Sequence, residues 1–224
     1  MVGMAGLPPF SELAGEADPR LDLLMLALAA EFRDVDADRA LAALDALGAE
    51  LAEAVAGTDG SPHAQVRAVG ELLGGVHGFA GDGERYDHPD NSMLDVVLVR
   101  RRGLPILLSV VYVEVARRAG VELAGVGLPG HFVVAHLGPT ATVLADPFTG
   151  GGPVERHVPA PLVRPWGARE IAMRALNNLV AAYRRRGDVG SAIRAAGMRL
   201  ALPAGERVRD ELELELRVLQ AKLN

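Results

Sequence analysis

The sequence predicts an α+β fold, and three observations carry that reading. Apolar residues recur at helical spacing through the first third of the chain and again after residue 167. Residues 105–119 are apolar nearly all round, as a central buried helix must be. Three short Val-rich segments, at 123–128, 131–137 and 142–146, are separated by Pro129-Gly130 and Gly138-Pro139, which predicts an antiparallel meander.

In chain order, residues 1–17 read as a flexible leader rich in Gly, Pro and small residues. Asp18-Pro19 predicts a helix start, with Leu21, Leu24, Met25, Leu28 and Phe32 on its buried face. A second helix is expected over 37–56, facing inward through Leu41, Leu44, Leu47, Leu51 and Val55, and broken by Gly57 to Gly60. Ser61-Pro62 starts a third, with Val66, Val69, Leu73 and Val76 inward. Residues 78–90 form a glycine-rich polar loop without the spacing of a phosphate-binding loop. Asn91 with Ser92 is expected to hold the turn through local backbone hydrogen bonds. Ser92 with Asp95 predicts a capped short helix, buried through Leu94, Val97 and Leu98 and ended by Gly103. Pro105 opens the apolar helix and Gly120 closes it. Glu114 within it is expected to be buried and to need Arg117, Arg118 or a backbone donor. Val154 to Val158 is expected to add an edge strand, and residues 159–167, with three prolines and Trp166, read as a linker. Helices are expected at 168–186, 189–200 and 206–222.

Composition excludes several functions. The formal net charge of −6 argues against nucleic acid and membrane surfaces as partners. The 22 arginines against one lysine read as codon bias. With no cysteine there is no disulfide and no thiolate metal site, in keeping with a cytoplasmic location. Met1 to Pro9 lacks a basic start and a long apolar stretch, so no secretory signal is expected. No uncharged run approaches the ~20 apolar residues of a membrane span. His131, His136 and His157 lack compact ligand spacing, and His63, His77 and His88 are scattered, so neither a metal nor a cofactor is expected.

Three blocks occur in order: N-S-M-L-D-V-V-L-V-R-R-R-G-L-P-I-L-L-S-V-V-Y-V-E-V-A-R-R-A-G, then G-V-G-L-P-G-H-F-V-V, then D-P-F-T-G-G. Together they resemble the bacterial SirB-type family, and the resemblance covers about 20–205. It implies a transglutaminase-like (papain-like) core with a helical N-terminal layer, a small antiparallel sheet and a C-terminal helical hairpin of tetratricopeptide-like character. The implied division is a leader at 1–17, a transglutaminase-like domain at 18–165 and a helical tail at 166–224. Asn178, Tyr183, Gly187, Ala192 and Pro203 lie close to the positions of a single tetratricopeptide unit.

The wider superfamily has Gly-x-Cys at the start of its core helix and another Gly after it. Gly103 and Gly120 match those glycines, so the cysteine position falls on Pro105. His131 matches the superfamily's catalytic His and Asp146 its Asp. A thiol hydrolase needs all three, and here the nucleophile is an imino acid. The expected function is therefore a non-catalytic binding or regulatory role, a pseudoenzyme whose protein or peptide partner meets the cleft or the helical tail. The alternative is a hydrolase using a substitute hydroxyl, Ser109 or Thr149, with His131 and Asp146. A third reading is a structural or assembly protein that uses the tail. Arg101 and Arg102, just before a helix N-terminus, are candidates to line an anion-accepting cleft with His131 and Asp146, balanced by Asp95, Glu84, Asp87 or a ligand carboxylate.

Overall fold

A computed structural model of the chain describes residues 6–138, 141–154 and 158–222. The helices are α1 (Phe10–Gly15), α2 (Leu21–Ala30), α3 (Ala37–Ala56), α4 (Pro62–Gly70), α5 (Leu94–Arg100), α6 (Pro105–Arg118), α7 (Ala168–Arg185), α8 (Val189–Met198) and α9 (Glu206–Gln220). The strands are β1 (Ala80–Gly81), β2 (Arg102–Gly103), β3 (Ala124–Leu128), β4 (His131–Leu137), β5 (Thr142–Asp146) and β6 (Gly152–Pro153). Two compact units result: Asp38–Gly167, and the residues up to Ala37 together with those from Ala168 onward. No described helix is long and apolar enough to cross a membrane.

In the unit from Asp38 to Gly167, β3, β4, β5 and β6 form one antiparallel sheet in that order. Leu128 faces His131 across the first turn, and Val134 faces Ala145 across the second pair. Helix α6 packs against β4 and β3. Its Leu107, Leu108, Val110, Val111 and Val115 are wholly buried, each contributing about 1.5–3 kcal/mol by leaving water. Glu114 is buried in this apolar helix, as expected, and is matched by Arg117 at 2.8 Å and Arg118 at 2.6 Å. Arg118 also reaches Asp45 of α3 at 2.6 Å, which ties α3 to the central helix. Beyond α6, Gly120 has the left-handed φ of 73° that ends the helix.

Helix α4 starts as the sequence predicts, with the Ser61 hydroxyl accepting from the Ala64 N–H and Pro62 in the first turn. It then widens into a π-turn over Glu71–Val76, closed by the His77 N–H on the Leu72 carbonyl. The wide turn adds a residue and rotates the remainder of the helix about its axis. Val76, expected inward, is therefore 73% exposed, while Val66, Val69 and Leu73 are buried. The same turn brings backbone against backbone: a Cβ on Gly74 would stand 1.8 Å from the Gly150 carbonyl oxygen, and one on Gly70 would stand 2.6 Å from that of Gly151.

Several local expectations shift. Ser92 does not cap α5; it is buried in a 3-10 turn at Pro89–Ser92, and Met93 takes the cap position without a side-chain bond. Helix α5 ends at Arg101, whose φ of 56° is left-handed, and not at Gly103. Gly103 instead belongs to β2, which pairs in parallel with β1. The edge strand begins at Gly152, two residues before the expected Val154, because Asp146 and Ala145 pair with Gly152 and Pro153. Residues 155–157 of the expected strand and Pro139 of the expected turn lie outside the described residues. The linker is held down: the Trp166 N–H donates to the Gly125 carbonyl, and its ring meets Phe132 edge-on at 5.3 Å.

The second unit joins α1 and α2 to α7, α8 and α9. The expected leader thus contains a helix, because Phe10 and Leu13 are buried with it; residues 1–5 lie outside the description. Residues 18–37, expected within the first domain, group with the tail because α2 packs against α7. Helix α2 starts at Leu21 behind Arg20, two residues after Pro19. Asp18, expected to cap the helix, is not its cap residue, which is Arg20 without a side-chain cap bond; the buried Asp22 accepts from Arg20 at 2.8 Å and from the Leu23 N–H. Phe32 lies beyond α2 and stacks on Tyr183 at 5.4 Å. Helices α7 and α8 form a hairpin turned at Gly187 and capped by Asp188 on the Ser191 N–H. Buried Arg199 binds Asn177 of α7 and Glu215 of α9.

Replacement of Gly74 by Ala is expected to destabilise the chain by about 3 kcal/mol, because the obstacle is a carbonyl and not a flexible side chain. Gly75→Ala is the control, with nothing within 4 Å of the added carbon. It is expected to be neutral or to gain up to about 1 kcal/mol from helix propensity. Urea denaturation of the two variants checks both.

Candidate functional site

The turn that leads into α6 is organised by Asn91. Its side chain is buried and donates to the Arg85 carbonyl at 2.7 Å, and its own carbonyl accepts from the Leu104 N–H at 3.0 Å. This sets Leu104 as the cap of α6 and Pro105 in the first turn, where a missing N–H leaves nothing unpaired. Gly103 pairs with Gly81 in the β1–β2 ladder. The Phe148 ring lies over Gly81, where a Cβ would come within 2.3 Å of it. Phe148 in turn meets His131 edge-on at 6.3 Å and Tyr86 edge-on at 6.0 Å. A continuous chain of contacts therefore links the start of α6 to the imidazole.

His131 opens β4 and Asp146 closes β5, and the antiparallel register brings them together. His131 Nε2 stands 2.8 Å from Asp146 Oδ2. Asp146 Oδ1 accepts from the Phe148 N–H at 2.9 Å, and its main-chain oxygen accepts from Gly151 N–H at 2.8 Å and from the Thr149 hydroxyl at 3.1 Å. The carboxylate is fixed before it meets the imidazole. An ionised carboxylate only accepts, so this contact favours the tautomer with its proton on Nε2.

Neither candidate hydroxyl bonds to that imidazole. Ser109 Oγ is buried in α6 without a hydrogen-bond partner, and the Thr149 hydroxyl donates to the Asp146 backbone. Tyr112, wholly buried in α6, also has an unpartnered hydroxyl. Burial pushes its pKa up, and the Asp146 carboxylate adds in the same direction, so it stays protonated.

The arginines have structural acceptors. Arg101 donates to the His77 carbonyl at 2.8 Å and Arg102 to the Gly78 carbonyl. Arg100 binds Asp82 Oδ2 at 2.8 Å and approaches Asn91 Oδ1 at 3.4 Å. Burial alone would raise the Asp82 pKa. Donation from the Arg85 N–H, Arg100 and Asn91 outweighs it and holds the carboxyl below its ordinary value. His77 pairs with Glu50, and His88 approaches Asp90. No group of three or more metal-ligating side chains occurs among the described residues; His157 lies outside them.

The helix, the strand beginning in His and the strand ending in Asp form one arrangement, and a family model gives it a name. The model described as the transglutaminase-like superfamily matches residues 38–181. The chain belongs to the transglutaminase-like superfamily. A UPF0162 protein of Xylella fastidiosa (strain 9a5c) is 34% identical over 174 residues, which cover 76% of this chain and 62% of the relative. This chain thus spans less than two thirds of that relative. A UPF0162 protein of Xylella fastidiosa (strain Temecula1) is 33% identical over 204 residues, covering 82% of this chain and 72% of the relative. Human F-box only protein 21 is 29% identical over 126 residues, covering 49% of this chain and 20% of that protein. No solved structure matches the chain significantly.

Within this transglutaminase-like site, sequence reasoning placed Pro105, His131 and Asp146 but missed Phe148, Tyr86 and Tyr112. Phe148 belongs to the D-P-F motif, two residues after the Asp, and was visible there. Asp82 is the carboxylate that balances Arg100, and nothing in its local sequence marks it.

Asp82 gives a pH prediction. Its folded pKa is below the ordinary 3.8, so its contribution is complete above that value and is lost as pH falls through the lowered one. Asp82→Asn is expected to destabilise the chain by about 2 kcal/mol at neutral pH and to flatten the acid limb of its stability. Denaturant titrations between about pH 2 and 7 check this.

Proposed function

We propose that this chain is a non-catalytic member of the transglutaminase-like superfamily, of the SirB-type group, whose cleft binds a peptide or protein partner and has a regulatory role. The observation that carries the reading is the oriented but unserved imidazole. Asp146 holds His131 in the geometry of a general base, while the start of α6 offers a proline and neither nearby hydroxyl reaches the ring. A base with no nucleophile to deprotonate is still a hydrogen-bonding group aimed at a ligand. The half-exposed Tyr86 ring and the Phe148 ring beside it supply apolar surface for the same ligand. The helical tail, with a hairpin of tetratricopeptide-like character, is the second contact surface. The match to F-box only protein 21 occupies one fifth of that protein, which suits a module that works as part of larger assemblies.

The test restores the missing group. Pro105→Cys is expected to carry a thiol whose alkylation at about pH 6.5 is tenfold or more faster than that of a free thiol, because an adjacent imidazole lowers the thiol pKa. The enhancement is expected to vanish in the Pro105→Cys, His131→Ala double variant. The wild-type chain is expected to show no turnover of activated esters or amides. Turnover that disappears in Ser109→Ala or Thr149→Val would establish the hydrolase instead.

A further inference from the structure

The unit that joins the residues up to Ala37 with those from Ala168 onward contains a hollow of about 420 Å³. Its apolar walls are Ala181, Val189 and Leu219, and its charged walls are Arg184, Arg185 and Lys222. Pockets for small ligands run from roughly 300 to 1,000 Å³ and combine apolar surface with a few placed polar groups. Three cations line this one, and no carboxylate is among its described walls. They gather in a chain whose formal net charge is −6 and whose only lysine is Lys222.

Helix ends commonly hold basic side chains that meet the unpaired carbonyls of the last turn. Here backbone N–H groups take those carbonyls. At the end of α7 the Arg186 N–H donates to the Ala182 carbonyl at 3.2 Å, the Asp188 N–H to that of Tyr183 at 3.0 Å, and the Gly187 N–H to that of Arg184 at 3.2 Å. At the end of α9 the Ala221 N–H donates to the Arg217 carbonyl at 3.0 Å and the Lys222 N–H to that of Leu219 at 3.2 Å. Capping therefore does not account for the cluster. Glu215 approaches Arg184 at 3.6 Å, but its other oxygen is held more closely, at 2.8 Å, by Arg199. Arg199 is buried, so Glu215 serves as the counter-ion of the interior and Arg184 only shares it.

Like charges held around one hollow repel, and a bound anion removes that repulsion. A phosphate monoester carries about −1.5 to −2 charge at neutral pH and three acceptor oxygens. Guanidinium forks bind such a group bidentately, and an ammonium binds it as a point charge. A monocarboxylate brings half the charge and one oxygen fewer. We propose that this hollow binds a small phosphate monoester. Its phosphate sits among Arg184, Arg185 and Lys222, and its organic body lies against Ala181, Val189 and Leu219. The inference is independent of the reading given to His131, which belongs to the other unit.

Titration calorimetry of the whole chain with phenyl phosphate tests this. Phenyl phosphate is expected to bind, to raise Tm and to weaken as salt rises. Benzoate, with the same ring and one charge, is expected to bind at least about tenfold more weakly, and phenol to give no measurable heat. Inorganic phosphate, which lacks the apolar body, is expected to bind severalfold more weakly. Lys222 is exposed, so Lys222→Gln reads the site without touching the core; it and Arg184→Gln are each expected to weaken phenyl phosphate about tenfold. Arg186→Gln, at the neighbouring arginine outside the walls, is expected to leave binding unchanged, as is His131→Ala. Failure of phenyl phosphate to bind, equal binding of benzoate, or an unchanged Lys222→Gln variant would each overturn the assignment. Equal loss in Arg186→Gln would reduce the cluster to diffuse surface charge and overturn it as well.

Discussion

The site rests on the close passage of two backbones. Gly70 and Gly74 meet Gly150 and Gly151 with no room for a side-chain carbon between them. Gly150 and Gly151 can make that approach because both hold left-handed φ values, 83° and 81°, which other residues adopt only at a cost. The approach fixes the loop directly after Asp146, and the loop fixes Asp146 through the Gly151 and Phe148 N–H groups and the Thr149 hydroxyl. The imidazole of His131 takes its orientation from that carboxylate. The order of dependence therefore runs from helix packing to loop, from loop to carboxylate, and from carboxylate to imidazole.

A proline stands in the first turn of α6. Proline keeps the helix start well formed, since its fixed φ suits the first turn, and its own ring offers no nucleophile. The arginines next to it obey the same logic. Arg101 and Arg102 satisfy the carbonyls of His77 and Gly78 just past the π-turn, where a helix end has unpaired acceptors, and Arg100 satisfies Asp82. The charge that looks like an anion trap in the sequence serves to close the turn around the helix start.

Local pattern was legible in the sequence. The span of α3, the start of α6 at Pro105, and the ends of β4 and β5 can be read from helical periodicity, from proline and glycine placement, and from the Val-rich segments between the turns. The burial of Glu114 with Arg117 and Arg118 was legible because its partners are one turn away. The rest depends on distant residues. The π-turn shows no propensity signal, and Val76 at its end is exposed. The β1–β2 ladder is two residues long on each side and forms only because Ala80 and Arg102 are brought together. The grouping of α2 with α7 joins segments at opposite ends of the chain. For the candidate site, resemblance supplied Pro105, His131 and Asp146, while the aromatic lining by Tyr86 and Phe148 needed coordinates.

The loop from Gly150 to Pro153 has two faces. One side adjoins Asp146 and holds its backbone oxygen; the other forms a wall of an apolar hollow beside α4. The glycines that make the loop conformationally permissive are held in contact with α4 and the π-turn, so its movement is resisted by packing and not by a stiff sequence.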